Sequence, residues 1–347
     1  MATKGRSTVY NNITSDEKTK QINIDNITLM EDFLDYLQSI DRAPQTISSY
    51  RSDLLIFFTY VLEYLGNKKF VDITKREFAR FQNHCLSEDN GWGWSPKRVR
   101  RVKSTISSMS NFIENVLDEE EEFEGYKKVV HKIESPANTT VREKTVLTDE
   151  EVELILETLL EKKKYQACCI VAVLAYSGMR KSELLQMKPE YFDEDHLVFG
   201  SLHQTELIRA KGRGKNGHQM KKWILVQGDK YIMPWIEQRK ELGCDCEWLF
   251  CSKKDGKWEK LEYIDHIMDS ISPIVNKPVY AHSFRHFVCT KLLSDYNLPS
   301  EVVREFYQWE SVEMLKIYND RSAVDDFGKY FTSEGIQKQK EKTLADL

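Results

Sequence analysis

No stretch of this 347-residue chain approaches the run of roughly twenty apolar residues that a membrane-spanning helix needs. The first residues, Met1-Ala2-Thr3-Lys4-Gly5-Arg6, lack the apolar core of a signal peptide, so the expected location is the cytoplasm, with no membrane partner. Cysteine is present but in an odd number: seven residues, at 85, 168, 169, 244, 246, 251 and 289, in a chain without an export signal, which argues against a disulfide framework. Cys244-Asp245-Cys246 with Cys251 has no matching second pair and no histidine cluster nearby, so neither a zinc site nor any other metal or cofactor is expected. Internal repeats and low-complexity tracts are also missing. What remains, 41% apolar and 30% charged residues, describes a globular chain long enough for two domains with a core each.

An excess of positive charge is missing too, since the formal net charge is −5. Affinity for a polyanion depends on local basic surface, however, and not on the sum. Lys97-Arg98-Val99-Arg100-Arg101-Val102-Lys103 places five cations together with no acid. The run opens a helical pattern continuing through Ile106, Met109, Phe112, Ile113 and Val116. Cations at a helix N-terminus oppose the helix dipole, and an external anion would relieve that conflict; DNA phosphate is the natural one. Lys97, Arg98, Arg100, Arg101 and Lys103 are therefore the candidate DNA-binding residues, with a solvated charged face as the alternative. The acidic block that follows, Asp118-Glu119-Glu120-Glu121-Glu122, is expected away from DNA or at its rim.

Periodicity predicts a mobile polar tail over 1–22 and helices beginning at Ile27 and Thr46, then over Thr74–Leu86 and Ser95–Leu117, giving a small helical domain over 23–134. A linker over 135–146 holds Ser135-Pro136-Ala137-Asn138-Thr139-Thr140. The second domain, 147–347, opens on Leu147-Thr148-Asp149-Glu150-Glu151, where Thr148 and Glu151 form a capping-box pattern. Helices near 148–160 and 166–176 precede strands at His196–Phe199, Glu206–Ala210 and Trp223–Val226, and the remainder reads as helical, including Val279–Leu293, Ser300–Tyr307 and Val312–Tyr318. The predicted class is mainly α with a small β-sheet (α+β).

The chemistry-bearing residues lie in that second domain. Arg180 stands in a Gly178-Met179-Arg180 turn, His282-Ser283-Phe284-Arg285 follows, and Trp309 precedes Tyr318. Two guanidinium groups can hold the charge of a phosphate under attack bidentately, where other enzymes would place metal ions. A tyrosine hydroxyl, with a free pKa near ~10, needs a cationic pocket or a base to become a nucleophile. Taken alone each piece has an ordinary reading: Tyr318 as a half-buried helix aromatic, Trp309 as a core residue, Arg180 as a surface cation. Order and spacing together point to phosphodiester chemistry.

This arrangement resembles the tyrosine recombinase (phage integrase) family, whose catalytic residues run Arg, Lys, His-x-x-Arg, His or Trp, and Tyr. The stretch Leu174-Ala175-Tyr176-Ser177-Gly178-Met179-Arg180-Lys181-Ser182-Glu183-Leu184-Leu185 is similar to the first Arg box. Ala210-Lys211-Gly212-Arg213-Gly214-Lys215 is similar to the β-hairpin carrying the catalytic lysine, with Lys211 preferred because it opens the glycine-containing turn, although Lys215, Lys221 and Lys222 crowd the same hairpin. His282 and Arg285 match the second box, with His286 after it; Trp309 falls at the His or Trp position and Tyr318 at the nucleophile. Before Trp309 the family usually has Leu-Gly, whereas this chain has Tyr307-Gln308.

The resemblance spans about residues 25 to 330. It implies a helical, SAM-like core-binding domain clamping double-stranded DNA, followed by a catalytic domain, with no room for an additional N-terminal arm-binding domain. Implied too are an integrase- or excisionase-type recombinase cutting and rejoining DNA through a 3′-phosphotyrosine without metal or ATP, and a homotetramer on two sites from a free monomer or dimer. The resemblance also implies an exchanged C-terminal segment, for which Arg321–Leu347 is the candidate, with a disordered tail as the alternative reading of those residues, room for an accessory directionality protein, and a place at the nucleoid, or in the host cytoplasm for a phage product. In that scheme Arg180 and Arg285 stabilise charge, Lys211 protonates the leaving oxygen, His282 moves protons, Trp309 donates to phosphate or packs, and Tyr318 attacks. Two other readings stand beside it: a recombinase-fold, phage repressor-like DNA-binding regulator without strand exchange, and a type IB topoisomerase.

Overall fold

The computed structural model describes residues 12–137, 145–212, 217–251, 260–318, 331–332 and 335–336. The chain divides into two compact units, Met1–Glu143 with Gly212–Gly217, and Lys144–Lys211 with His218–Leu347.

The first unit is built from α1 (Asp16–Thr19), α2 (Ile24–Ser39), α3 (Pro44–Tyr64), α4 (Lys75–Leu86) and α5 (Pro96–Val116). Helix α3 starts on Pro44, whose missing N–H costs nothing in a first turn, and α4 starts on a capping box between Thr74 and Glu77. Apolar side chains at helical spacing meet in a phenylalanine-rich core, where Phe57 stacks on Phe78 with ring centres 5.4 Å apart and meets Phe81 edge-on at 4.9 Å. Order begins earlier than the expected 1–22 tail: Ile13 and Ile22 are buried, Thr14 and Thr59 hydroxyls lie 2.8 Å apart, and α1 is capped by Ser15. The two isoleucines are spaced too far apart to register as a periodic face, which is why the segment reads as polar. Residues 1–11 of that tail lie outside the described residues, as does 138–144 of the expected linker.

The second unit wraps around α7 (Tyr165–Ser177), which follows α6 (Asp149–Glu161). Helix α7 is apolar on all sides, and every residue from Cys168 to Ala175 is buried, as a central helix requires. Thr148 and Glu151 close the capping box read from the sequence. After the short α8 (Lys181–Leu184) come β1 (Leu197–Val198), β2 (Leu202–Gln204), β3 (Ile208–Ala210), β4 (His218–Met220) and β5 (Trp223–Leu225). Strands β1, β2 and β5 form one antiparallel sheet, with Leu202 opposite Leu225, and β3 pairs with β4, with Ala210 opposite His218. Helices α9 (Asp229–Glu241), α10 (Leu261–Ile271), α11 (Ala281–Ser294), α12 (Ser300–Tyr307) and α13 (Leu315–Tyr318) complete the unit, which also contains the short strands β6 (Phe331–Thr332) and β7 (Gly335–Ile336). The mainly helical class with a small antiparallel sheet is thus observed. Of the candidate exchange segment Arg321–Leu347, only these two strands are described.

Candidate active site

Helix α7 ends at Gly178 in the left-handed region, φ +62°. Glycine is required here twice: for the positive φ, and because a Cβ would lie 2.3 Å from the hydroxyl of Tyr307. The turn delivers Arg180, whose backbone N–H donates to Glu183 Oε2 and whose Nη1 donates to Glu183 Oε1, both at 2.9 Å. Lys222 Nζ approaches Glu183 Oε2 at 3.4 Å, and Glu183 is fully buried. Burial alone would raise this carboxyl's pKa, but the Lys222 ammonium, the Arg180 amide and guanidinium, and Arg285 outweigh it and hold it below the usual range. Burial likewise pulls Lys222 below the ordinary lysine value, against the attraction of Glu183. One carboxylate among three cations leaves local positive charge, which suits an anion.

Helix α11 supplies His282, Arg285 and His286. Arg285 is completely buried; its Nη1 donates to the Gly178 carbonyl at 2.8 Å, tying the second box to the first turn. Its guanidinium carbon lies 4.4 Å from the Tyr307 ring centre and 5.2 Å from those of Trp309 and Tyr318, within cation–π range of all three. Among the described residues, Arg285 Nε and Nη2 and the Trp309 indole N–H are buried without a hydrogen-bond acceptor. Buried donors are rarely left so, and each such group is a candidate contact for an oxygen-rich ligand.

Tyr318 ends α13, and its ring packs into this group. It stacks on Trp309 at 5.0 Å with the planes 15° apart, and it meets the rings of His282 at 5.3 Å and His286 at 5.0 Å. His282 and His286 stand one helical turn apart and touch edge to face at 5.3 Å. Trp309 also stacks on Tyr307 at 4.5 Å. Tyr307 itself is unsuited to attack: burial pushes its hydroxyl pKa far up, away from the phenolate.

Four of the residues read from the sequence therefore meet directly, His282, Arg285, Trp309 and Tyr318, and Arg180 joins them through Glu183 and the Gly178 carbonyl. Lys211 stands exposed immediately after β3, at the base of the hairpin turn, and Lys215 lies outside the described residues. The lysine in the buried network is Lys222, in the two-residue connection between β4 and β5, where its amide donates to Thr205 Oγ1 at 2.9 Å. Its sequence signal is weak, because three other lysines share the hairpin. Tyr307 and His286 also belong to the site.

The basic run splits by environment. Arg101 pairs at 2.8 Å with Asp53, which is buried; Arg98 lies 4.3 Å over the Trp94 ring; and Lys103 donates to the Ile133 carbonyl and to Ser135 Oγ. Lys97 and Arg100 are exposed, Arg100 also donating to the Pro136 carbonyl at 2.9 Å. Arg98, Arg101 and Lys103 thus have partners within the first unit, whereas Lys97 and Arg100 present the most exposed part of the run.

Among the described residues, no helix is long and apolar enough to cross a membrane. The sequence model of the phage integrase family matches residues 145–324, which include Arg180, Lys211, His282, Arg285, Trp309 and Tyr318. An SPbeta prophage-derived recombinase-like protein, YomM, from Bacillus subtilis (strain 168), is 27% identical over 291 residues, 83% of this chain and 84% of that protein. Tyrosine recombinase XerD from Chlamydia pneumoniae is 23% identical over 305 residues, 85% of this chain and 92% of that one. In fold, the chain is similar to a lambda integrase dimer bound to a COC′ core site, with a TM-score of 0.61 and 16% identity over 91% of this chain and 99% of that one. It is similar to the same degree to XerH site-specific recombinase bound to difH substrate, with a TM-score of 0.61 and 17% identity over 90% of this chain and 98% of that one. With more than half of its length matched and the buried Arg285–Trp309–Tyr318 cluster inside the matched stretch, the chain belongs to the phage integrase family, the tyrosine-type site-specific recombinases.

Proposed function

We propose that this recombinase cuts and rejoins double-stranded DNA through a 3′-phosphotyrosine on Tyr318, using no metal ion and no ATP. The observation that carries the reading is the packing of Tyr318 against Trp309, His282 and a buried Arg285 that keeps two nitrogens without an acceptor among the described residues. A scissile phosphate beside Tyr318 would give those donors their oxygens.

In the cleavage step the Tyr318 oxygen forms a bond to phosphorus as the phosphorus–O5′ bond breaks; His282 takes the tyrosine proton and Lys211 gives one to the leaving 5′ oxygen. Arg180 and Arg285 stabilise the charge on the non-bridging oxygens, and the Trp309 N–H donates to one of them. A 5′ hydroxyl from the partner strand then attacks the phosphotyrosine, returning Tyr318 and a sealed strand. The bond energy stays in the enzyme–DNA ester, so no nucleotide is consumed. Lys222 has a different task, charge compensation of Glu183, which fixes Arg180. We further propose that the helical first unit grips the duplex, with Lys97 and Arg100 as phosphate contacts, and that the working form is a homotetramer on two sites in the cytoplasm.

A regulator that merely binds DNA would use the arginines equally in ground and transition states; a recombinase uses them most in the transition state. Measuring both affinity and cleavage rate for Arg285→Ala on one DNA site separates the two. Recombination requires a rate loss of about a hundred- to a thousand-fold with a far smaller loss of affinity. Equal losses, or tight wild-type binding without cleavage at any site, would favour the regulator.

A further inference from the structure

Helix α12 ends at Tyr307, and the next residue, Gln308, adopts φ +50° and ψ +51°. That left-handed conformation is the ordinary stopping point of a helix, but it is usually given to glycine, because a Cβ is strained there. A glutamine in its place costs stability unless its side chain gives something back, and strained residues cluster where geometry serves function. Here the side chain is engaged: Gln308 Nε2 donates to the Lys221 carbonyl at 2.8 Å, a contact between distant parts of the chain.

Both ends of this bond lead into the site. On one side, Trp309 follows directly, held by its N–H to the Arg304 carbonyl at 3.0 Å and by Arg304 Nη1 to its own carbonyl at 3.1 Å, and it stacks on Tyr318. On the other side, Lys221 sits between β4, the returning strand of the hairpin that carries Lys211, and Lys222, whose ammonium faces Glu183 and through it Arg180. Lys221 is itself fixed to β2 by its Nζ donating to Gln204 Oε1 at 2.9 Å. The Gln308 carboxamide thus joins the segment bearing the nucleophile to the strand connection bearing the lysines.

We propose that Gln308 is a positioning residue for strand cleavage, a latch that holds the Trp309–Tyr318 segment in register with the Lys211 hairpin and the Lys222–Glu183–Arg180 network. This rests on the recombinase reading of the same site. The latch touches no substrate; it acts by fixing the distance between attacking and proton-donating groups, to which rates respond steeply, a displacement of about 1 Å costing roughly a hundredfold.

The test compares wild type with Gln308→Gly and Gln308→Asn, which both accept the left-handed backbone; glycine lacks the amide and asparagine is one methylene too short. Three quantities are read on one DNA site: thermal midpoint, dissociation constant, and single-turnover rate of covalent adduct formation at saturating DNA. The latch requires a thermal midpoint equal to or above wild type for Gln308→Gly, affinity within about twofold, and adduct formation slowed roughly ten- to a hundredfold in both variants. Wild-type adduct rates in both variants would overturn the latch and leave the recombinase reading standing, as would a rate loss that merely tracks a fall in thermal midpoint. Absence of any adduct from the wild type would overturn the recombinase reading, and the latch with it.

Discussion

Glu183 bridges Arg180 and Lys222: one carboxylate oxygen accepts from Arg180 Nη1 at 2.9 Å, and the other lies 3.4 Å from Lys222 Nζ, with Glu183 fully buried. A buried charge of this kind contributes most by preventing its partners from being left alone, and removing it exposes two cations to mutual repulsion.

Replacing the carboxylate by a neutral amide of the same shape, Glu183→Gln, should therefore lower stability by about 3 kcal/mol at neutral pH. The folded-state pKa of Glu183 is depressed, so its contribution is fully present above the ordinary value of 4.5 and is lost as pH falls through the folded-state value. Denaturant titrations of wild type and variant should show a gap that is constant above about pH 5 and narrows as the solution is acidified below that ordinary value. A gap that widens on acidification would contradict the ionised bridge.

Tyr307 and Gly178 interlock, and the pair makes an opposite forecast for each member. The Tyr307 hydroxyl is buried without a partner among the described residues, so Tyr307→Phe should leave adduct formation intact and keep or raise stability by up to about 1 kcal/mol. Gly178→Ala must place a Cβ 2.3 Å from that hydroxyl at a positive φ, and should cost about 2 kcal/mol or more and slow cleavage by displacing Arg285. The double variant should recover part of the loss, because removing the hydroxyl relieves the nearest clash; strict additivity in the cycle would show that the two residues do not press on each other.

Arg180, His282, Arg285 and Tyr318 are legible in the sequence because their chemistry and order are specific, and the helices because apolar spacing and caps such as Thr148 with Glu151 are local properties. Lys222 is not, since its burial comes from a two-residue connection between strands only three residues long, too short to carry a pattern. The Arg101–Asp53 pair and the Tyr307–Gly178 contact join separate helices, and no local rule encodes such meetings. The order in residues 12–22 is hidden for a similar reason: two isoleucines bury themselves against helices that follow later in the chain.

The basic run should divide on mutation as it divides in space. Lys97→Ala and Arg100→Ala should leave stability nearly unchanged and, for each phosphate no longer neutralised, reduce the slope of log affinity against log salt by about 0.9. Arg101→Ala should instead destabilise the first unit on the order of 2 kcal/mol, because the buried Asp53 loses its cation while keeping the Thr105 hydroxyl at 3.4 Å, with Arg101 itself partly solvated. An unchanged salt slope in the Lys97/Arg100 double variant would reduce those two residues to a solvated face.

Lys211 and Lys222 should also separate by chemistry. If Lys211 protonates the leaving 5′ oxygen, Lys211→Ala should slow cleavage about a hundred- to ten-thousandfold on ordinary DNA and recover on DNA with sulfur at the bridging 5′ position, since a thiolate leaves without a proton. Lys222→Ala should lose stability and gain nothing from the sulfur substrate, because its task is to balance Glu183. Recovery of Lys222→Ala alone would exchange the two assignments.

The most direct measurement is covalent trapping by Tyr318. A nicked DNA site that sheds its short 5′-hydroxyl fragment after cleavage should accumulate a protein–DNA adduct with wild type, and peptide mapping should place the DNA on Tyr318. Tyr318→Phe should form none while binding the same DNA with unchanged affinity. Robust adduct formation by Tyr318→Phe, or a wild-type adduct mapped to another residue, would contradict the assignment of Tyr318 as the nucleophile.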